Sequence, residues 1–438
     1  MKLLLSDGSG LTSRQVATQA HRAGHVVEVV APSRICGAAF TRHVRRVHLV
    51  PAYGRDPFGW LAATLGVLRT GRHDVLVGTQ EQVVLLAREA GRVRELGVAL
   101  AVPRFAALLR VQDKVAQLQT LREVGLAHPR TTVVRSEGEL RALAALPLFL
   151  KAPVGTASAG VHHVRSHAEL QAAAGALCAQ GAFADGGVVA QEPVDGPLIM
   201  IQAVYAGGEL VAWHANLRER EGAGGGAAVK RSIAVDGVAD DLAALGRALR
   251  WDGALSLDAI LTEAGPCYID VNPRLVEPGN AQRAGVDLVA ALLDVSLGRA
   301  AAAAPSGPGR PGVRTHQLLL AVLGAAERGG RAAVLRELAR AAARRGPYAG
   351  SREELTPLRG DPRAALPVPA GERRRPCAPG RRPLVLRRRR RRLCADAAGL
   401  AADRRRRRRY VRPAAAVRSS RSVRIRAVAP QIRCSPTT

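Results

Sequence analysis

The chain has 438 residues and a formal net charge of +29, from 65 Lys+Arg against 36 Asp+Glu. Taken whole, that excess would attract polyanions and point to a nucleic-acid binder, but 23 basic and 3 acidic residues fall in Gly371–Thr438, leaving only +9 on the first 370 residues. The body therefore reads as an ordinary globular chain of two or three domains at roughly 100–200 residues each. Aromatics make up 3% of the sequence, so Leu, Val and Ala must supply the core. No apolar stretch reaches the ~18 uncharged residues of a membrane span. Asp7 follows too soon after Met1-Lys2-Leu-Leu-Leu for a signal peptide. The six cysteines show no CxxC or CxH spacing, which argues for free thiols and a cytoplasmic setting. Cations are almost all arginine: 61 Arg stand against Lys2, Lys114, Lys151 and Lys230. A lysine kept against that bias is more often needed as a compact ammonium, although Lys2 reads as incidental.

In chain order, apolar runs at 2–5 and 26–31 flank a helical pattern over 13–23, with Thr12 and Gln15 at capping-box spacing. A strand at 46–50, a helix at 58–70, a strand at 74–78, a helix at 80–93 and a strand at 97–102 follow, an alternation that predicts a parallel, doubly wound sheet. The loop Asp7-Gly-Ser-Gly10 lacks the third glycine of a dinucleotide fingerprint, because Ser13 stands there, and is better read as a tight turn.

From Arg110 the pattern becomes α+β. A helix carrying Asp113-Lys114 runs to about Val124, and Ser136/Glu139 and Ser166/Glu169 mark two helix starts. Between these lies a strand, a loop and a strand over PLFLKAPVGTASAGVHHV. Strands are expected at 187–192, 199–205, 209–215 and 228–235, the last after a glycine-rich loop at 222–226. A helix at 239–250, a hairpin over LSLDAILTEAGPCYIDVN and a helix at 287–298 complete this part. Residues 300–311 read as a linker and 315–344 as one or two helices.

Two segments carry chemistry. Lys151 ends an apolar strand and precedes the small-residue loop Gly155-Thr156-Ala-Ser158-Ala-Gly160, whose amides and hydroxyls can close around phosphate oxygens while the lysine supplies charge. No Lys-Ser/Thr follows, so it is not a Walker A loop; a plain hairpin turn is the competing reading. In the second segment, strand alternation puts Asp270 and Asn272 on one face, and Asp258 can join them across the hairpin in an all-oxygen cluster suited to Mg²⁺. Arg274 just beyond can stabilise charge on a transferred phosphoryl group. His162-His163, His214 and His316 have no partners at ligand spacing.

In this order and spacing, Asp113-Lys114, the Lys151 strand with its loop, Gln191-Glu192-Pro193-Val194 and Asp270-Val-Asn272-Pro-Arg274 resemble the ATP-grasp superfamily. The likeness is to its carbamoyl-phosphate-synthase-like and carboxylate–amine ligase branch, over roughly residues 1–300. The resemblance implies an α/β plus α+β architecture. A Rossmann-like pre-ATP-grasp domain (1–110) would precede a two-part ATP-grasp domain (111–186 and 187–300), a linker and helical segment (301–365) and an Arg-rich tail (366–438). It further implies that Lys114 and Lys151 touch the α/β-phosphates, that the 155–160 loop covers the β/γ end, and that the main chain of Gln191, Glu192 and Val194 reads the adenine edge. Asp258, Asp270 and Asn272 would hold one or two Mg²⁺, or Mn²⁺, with Lys230, Arg231 and Arg274 near the transferred phosphoryl group. The implied reaction is ATP-dependent activation of a small-molecule carboxylate as an acyl phosphate, then attack by an amine; relatives are commonly dimers. Leu198 replaces an acidic residue usual near the ribose, and Asp270 a usual Glu, so an inactive nucleotide-binding relative stays open as an alternative.

The tail has the runs Arg387–Arg392 and Arg404–Arg409 among Pro, Ala and Gly, with no hydrophobic periodicity, and disorder is expected. A shifted reading frame of GC-rich DNA, a solvated tail and a nucleic-acid-binding arm are the three readings. Missing lysine and aromatic interleaving weigh against the last.

Overall fold

The computed structural model describes residues 1–155, 160–184, 186–300, 304–355 and 360–365. The N-terminal part alternates as expected: β1 (Lys2–Leu5), α1 (Leu11–Arg22), β2 (Val26–Ala31), β3 (Arg46–Leu49), α2 (Pro57–Leu68), β4 (Val75–Val77), α3 (Val83–Arg88) and α4 (Ala90–Arg94). The four strands form a parallel sheet in the order β3-β2-β1-β4. Helices cover both faces: Val16, Ala17 and Ala20 of α1 pack on one side, Leu61, Leu65 and Leu68 of α2 on the other. Asp7 Oδ2 accepts from the amides of Ser9 and Gly10, which makes the glycine loop the tight turn expected of it.

Three local expectations are corrected here. Thr12 and Gln15 do not cap α1; its N-cap is Gly10, without a side-chain bond. Both side chains are instead spent on a distant loop, described below. The helix expected over 80–93 breaks at Glu89 (φ −108°, ψ 20°) into α3 and α4. The strand expected at 97–102 contributes only a bridge from Ala99 to Val75, since Gly97 turns the chain in the left-handed region and Pro103 offers no N–H.

The next part contains α5 (Phe105–Gln112), α6 (Lys114–Val124), β5 (Thr131–Val134), α7 (Glu137–Arg141), β6 (Leu148–Lys151), β7 (Val161–Val164), α8 (His167–Ala179) and β8 (Val188–Gln191). Its strands form a small antiparallel sheet ordered β5-β8-β6-β7. Ser136 and Ser166 cap α7 and α8 by accepting from the amides of Glu139 and Glu169. Leu140, Leu150, Leu170 and Leu177 fill the core between helices and sheet. Because β8 pairs into this sheet, the crossing between the two sheets lies at residues 192–197, past the expected subdomain boundary at 187.

The larger sheet follows: β9 (Leu198–Ala206), β10 (Glu209–Glu221), β11 (Ala227–Ile233), α9 (Val238–Leu249), β12 (Gly253–Thr262), β13 (Gly265–Asn272), α10 (Gly279–Ala284), α11 (Leu288–Ser296), β14 (Arg314–His316), α12 (Leu318–Ala342) and β15 (Arg352–Glu353). Its seven strands run β13-β12-β9-β10-β11-β14-β15. One face buries Tyr205, Trp251, Leu255 and Leu257 against α9, while Leu288 and Leu292 of α11 join the core of the N-terminal sheet.

The expected linker is docked: Ser306 bridges to Ala212 and the Pro308 carbonyl bonds His214. The helical segment adds β14 and β15 to the sheet, and α12 kinks at Gly329–Gly330. Residues 360–365 return to the first domain, where buried Asp361 accepts from Thr41 and Arg14 donates to the Ala364 carbonyl at 2.6 Å. The Arg-rich tail lies outside the described residues.

Candidate active site

The hairpin β12–β13 brings the three candidate oxygen ligands together, as strand alternation predicts. Asp258 stands opposite Asp270 and Ser256 opposite Asn272, with a bulge after Asp258. Asn272 Nδ2 lies 3.5 Å from Asp270 Oδ2. Burial, and then the neighbouring Asp270, push the Asp258 carboxyl up to about 7. Burial also acts on Asp270, but Lys114 and Lys151 outweigh it and hold this carboxyl below its usual value. Two facing carboxylates that cannot comfortably both ionise alone form an environment that a dication relieves.

Lys114 and Lys151 approach this cluster from different elements. Asp113 caps α6 by accepting from the amides of Val115 and Ala116, which makes Lys114 the first helical residue. The Lys114 ammonium pairs with Asp270 Oδ1. Lys151, at the end of β6, donates to the Ile269 carbonyl on β13 at 2.7 Å. Burial lowers its pKa to about 8. Both lysines line a cleft between the small sheet and β13, with Gln117, His128, Gln191 and Tyr268.

Gln191 closes that cleft and Glu192 begins the crossing between sheets. The Glu192 amide is committed to the Arg130 carbonyl at 2.9 Å, and Pro193 has no N–H. Gly155 and Gly160 flank the phosphate-loop candidate. Gly160 has φ +79°, and a Cβ there would meet that of Ala152 at 3.0 Å. Thr156 and Ser158 lie outside the described residues.

Arg274 is clamped by the N-terminal domain: its Nε and Nη2 lie 3.2 and 2.9 Å from Glu81 Oε1, just after β4. Lys230 and Arg231 are neighbours on β11 and so face opposite ways. Lys230 is buried, 2.7 Å from Glu277 Oε2 and 3.6 Å from Glu354 Oε2. Burial lowers the Lys230 pKa, yet the two glutamates more than offset it. Arg231 is bound to Glu219, which Arg314 also holds, and thus sits apart from the carboxylate cluster.

The loop after Arg274 shows where Thr12 and Gln15 went. The Glu277 amide donates to Thr12 Oγ1 and the Gly279 amide to Gln15 Oε1, at 3.2 and 2.7 Å. Glu277 itself has φ +56°, a conformation that a side-chain-bearing residue holds only with outside support. Glu81, Glu277 and Glu354 were not singled out in the sequence. Glu81 alone had an accessible signal, lying past the carboxyl end of a parallel strand, where open α/β sheets present functional groups.

No family model matches the chain, and no curated protein does. Solved structures do match. Biotin carboxylase from Campylobacter jejuni, solved with β,γ-ATP, superposes with a TM-score of 0.59 at 15% identity, over 72% of this chain and 74% of its own. The biotin carboxylase domain of Hydrogenobacter thermophilus 2-oxoglutarate carboxylase, solved with MgADP and bicarbonate, gives 0.57 at 14% identity, over 72% and 73%. L-amino acid ligase from Bacillus licheniformis gives 0.53 at 17% identity, over 68% and 74%. The chain has an ATP-grasp fold. Identities this low carry the architecture alone, so activity has to be argued from the site.

Proposed function

We propose that the chain is an ATP- and Mg²⁺-dependent ligase that activates a small-molecule carboxylate as an acyl phosphate for attack by an amine. The observation that carries this reading is the cluster of Asp258, Asp270 and Asn272 on one hairpin, paired through Asp270 with Lys114, which lines a cleft together with Lys151. The donor set fits Mg²⁺, because the candidate ligands are all oxygen and the Asp258 carboxyl is destabilised as an anion by Asp270. Mg²⁺ there would neutralise charge shared between β- and γ-phosphate oxygens.

The remaining work belongs to the chain. Lys151 presents a buried ammonium bonded to one carbonyl, and Lys114 can exchange its pairing with Asp270 for a phosphate oxygen. The main chain around Gln191–Val194 suits the edge of a purine, and Gly155 and Gly160 would border the phosphate end. Arg274, set by Glu81, is oriented to stabilise charge on the transferring group. A substrate carboxylate oxygen attacks the γ-phosphorus while the bond to the β–γ bridging oxygen breaks and ADP leaves. The amine nitrogen then attacks the acyl carbon, phosphate departs, and the ammonium proton passes to solvent. Lys230, buried between Glu277 and Glu354, steadies the loop that follows Arg274.

A cytoplasmic setting and a homodimer belong to the same proposal; among the described residues no helix is long and apolar enough to cross a membrane. A panel of acids and amines read by ADP release tests it. Release that requires both an acid and an amine supports the ligase. Tight ATP binding with no release across the panel would identify the inactive relative instead.

A further inference from the structure

The N-terminal sheet carries a second group of ligating side chains that the ligase chemistry leaves unused. Glu28 lies on β2, His48 on β3 and His73 two residues ahead of β4. His48 Nε2 and His73 Nε2 stand 2.6 and 3.0 Å from one carboxylate oxygen, Glu28 Oε2. All three ligand atoms lie within 4.8 Å of one another. The other oxygen, Oε1, is 2.9 Å from Lys2 Nζ. Lys2 opens β1 and His73 precedes β4, while Glu28 and His48 sit within β2 and β3. Glu81, which reaches Arg274, instead follows β4 past its carboxyl end.

We propose that Glu28, His48 and His73 form a zinc site. Two imidazole nitrogens and one carboxylate oxygen are a donor set that Zn²⁺ takes with a fourth position open, whereas Mg²⁺ favours oxygen alone. Bonds of about 2.1 Å in a tetrahedron put ligand atoms about 3.4 Å apart. The two nitrogen–oxygen separations present, 2.6 and 3.0 Å, therefore need to open by under an ångström.

The surroundings suit a metal in two respects. Lys2 holds Oε1 and leaves Oε2 as a single ligand atom, the role outer-shell partners play around metals. His48 also lines an open cavity of about 430 Å³ with Arg34, Arg45 and Arg46, which gives a path from solvent and favours an anion in the fourth position.

The test uses the full chain, stripped with a chelator and titrated with Co²⁺ in the visible range, then with Zn²⁺ in competition. The expected result is one equivalent of Co²⁺ with a tetrahedral nitrogen/oxygen spectrum, displaced by Zn²⁺ at micromolar or lower concentration. Binding should weaken at least thirtyfold in His48→Ala and in Glu28→Gln, with ATP binding unchanged in both. Uptake by the folded variants equal to wild type, or no uptake by wild type, overturns the site and leaves Glu28 a carboxylate held by three donors. Should both variants fail to fold, the wild-type spectrum still decides: thiolate-to-cobalt charge transfer would assign the metal to cysteine and overturn the proposal.

Discussion

Replacing Lys151 by Met tests the proposed contact of this residue with ATP separately from its effect on the fold. Its ammonium is bonded to the Ile269 carbonyl and sits in an environment whose burial lowers its pKa to about 8. Removing a charge-assisted bond to a phosphate is worth about 1.5–3 kcal/mol, so ATP should bind roughly 10–150-fold more weakly in Lys151→Met. The pH dependence is a second signature. At pH 7.5 most of the free protein carries this proton, and at pH 9 about a tenth does. Bound phosphate favours the ammonium, so above pH 8 binding must take up a proton, and wild-type affinity should fall about eightfold between pH 7.5 and 9. Lys151→Met should show no such fall. The window also lies above the Asp258 carboxyl, whose pKa is about 7. The sign for stability is the reverse: a lysine whose pKa is lower folded than unfolded opposes folding at neutral pH. Without nucleotide the Met variant should therefore be more stable by about 1–3 kcal/mol. Isothermal titration with MgATP in two buffers of different ionisation enthalpy, and urea unfolding of the free protein, measure both. Equal ATP affinity and an unchanged pH profile in the variant would refute the assignment of Lys151 to the nucleotide.

Asp270→Asn removes a candidate magnesium ligand and the counter-charge of Lys114, and acid-dependent ADP release should fall by about a hundredfold or more at saturating ATP. Glu81→Gln releases Arg274 without touching the nucleotide cleft; kcat should fall about tenfold while ATP affinity stays within twofold, and parallel loss of both would contradict a positioning role. Lys2→Ala should lower stability in urea by about 1–2 kcal/mol through Glu28 and leave ATP turnover unchanged; a turnover loss like that of Lys151→Met would undo the separation of the two lysines.

What could be read in the sequence was local or periodic. The S-x-x-E boxes at Ser136 and Ser166 involve residues three apart, and both form. The Asp258–Asp270 pairing needed only strand alternation and a short turn, and the register agrees. Thr12 and Gln15 have the same spacing as a capping box, but a tertiary claim on their side chains prevails. The Glu277–Gly279 loop, more than 260 residues away, takes both as acceptors, and Glu277 at φ +56° needs that support more than a helix end needs its cap. The clamp of Arg274 by Glu81 was unreadable for the same reason, because its two halves lie 193 residues apart.

The lysines show how far composition can reach. In a chain with 61 arginines, each of the four lysines meets an acceptor: Lys114 at Asp270, Lys151 at the Ile269 carbonyl, Lys230 between Glu277 and Glu354, and Lys2 at Glu28. All four positions thus offer an acceptor to a compact ammonium. Lys230 is the plainest case, with 2% of its surface exposed and two carboxylates within 4 Å. Lys2 reads as incidental in sequence because its partner stands 26 residues on with no recognisable spacing; only the parallel pairing of β1 with β2 brings them to one edge. Rarity of a residue type thus marked positions under structural demand correctly. It does not distinguish one demand from another, since the same ammonium meets a main-chain carbonyl at Lys151 and a buried carboxylate at Lys2.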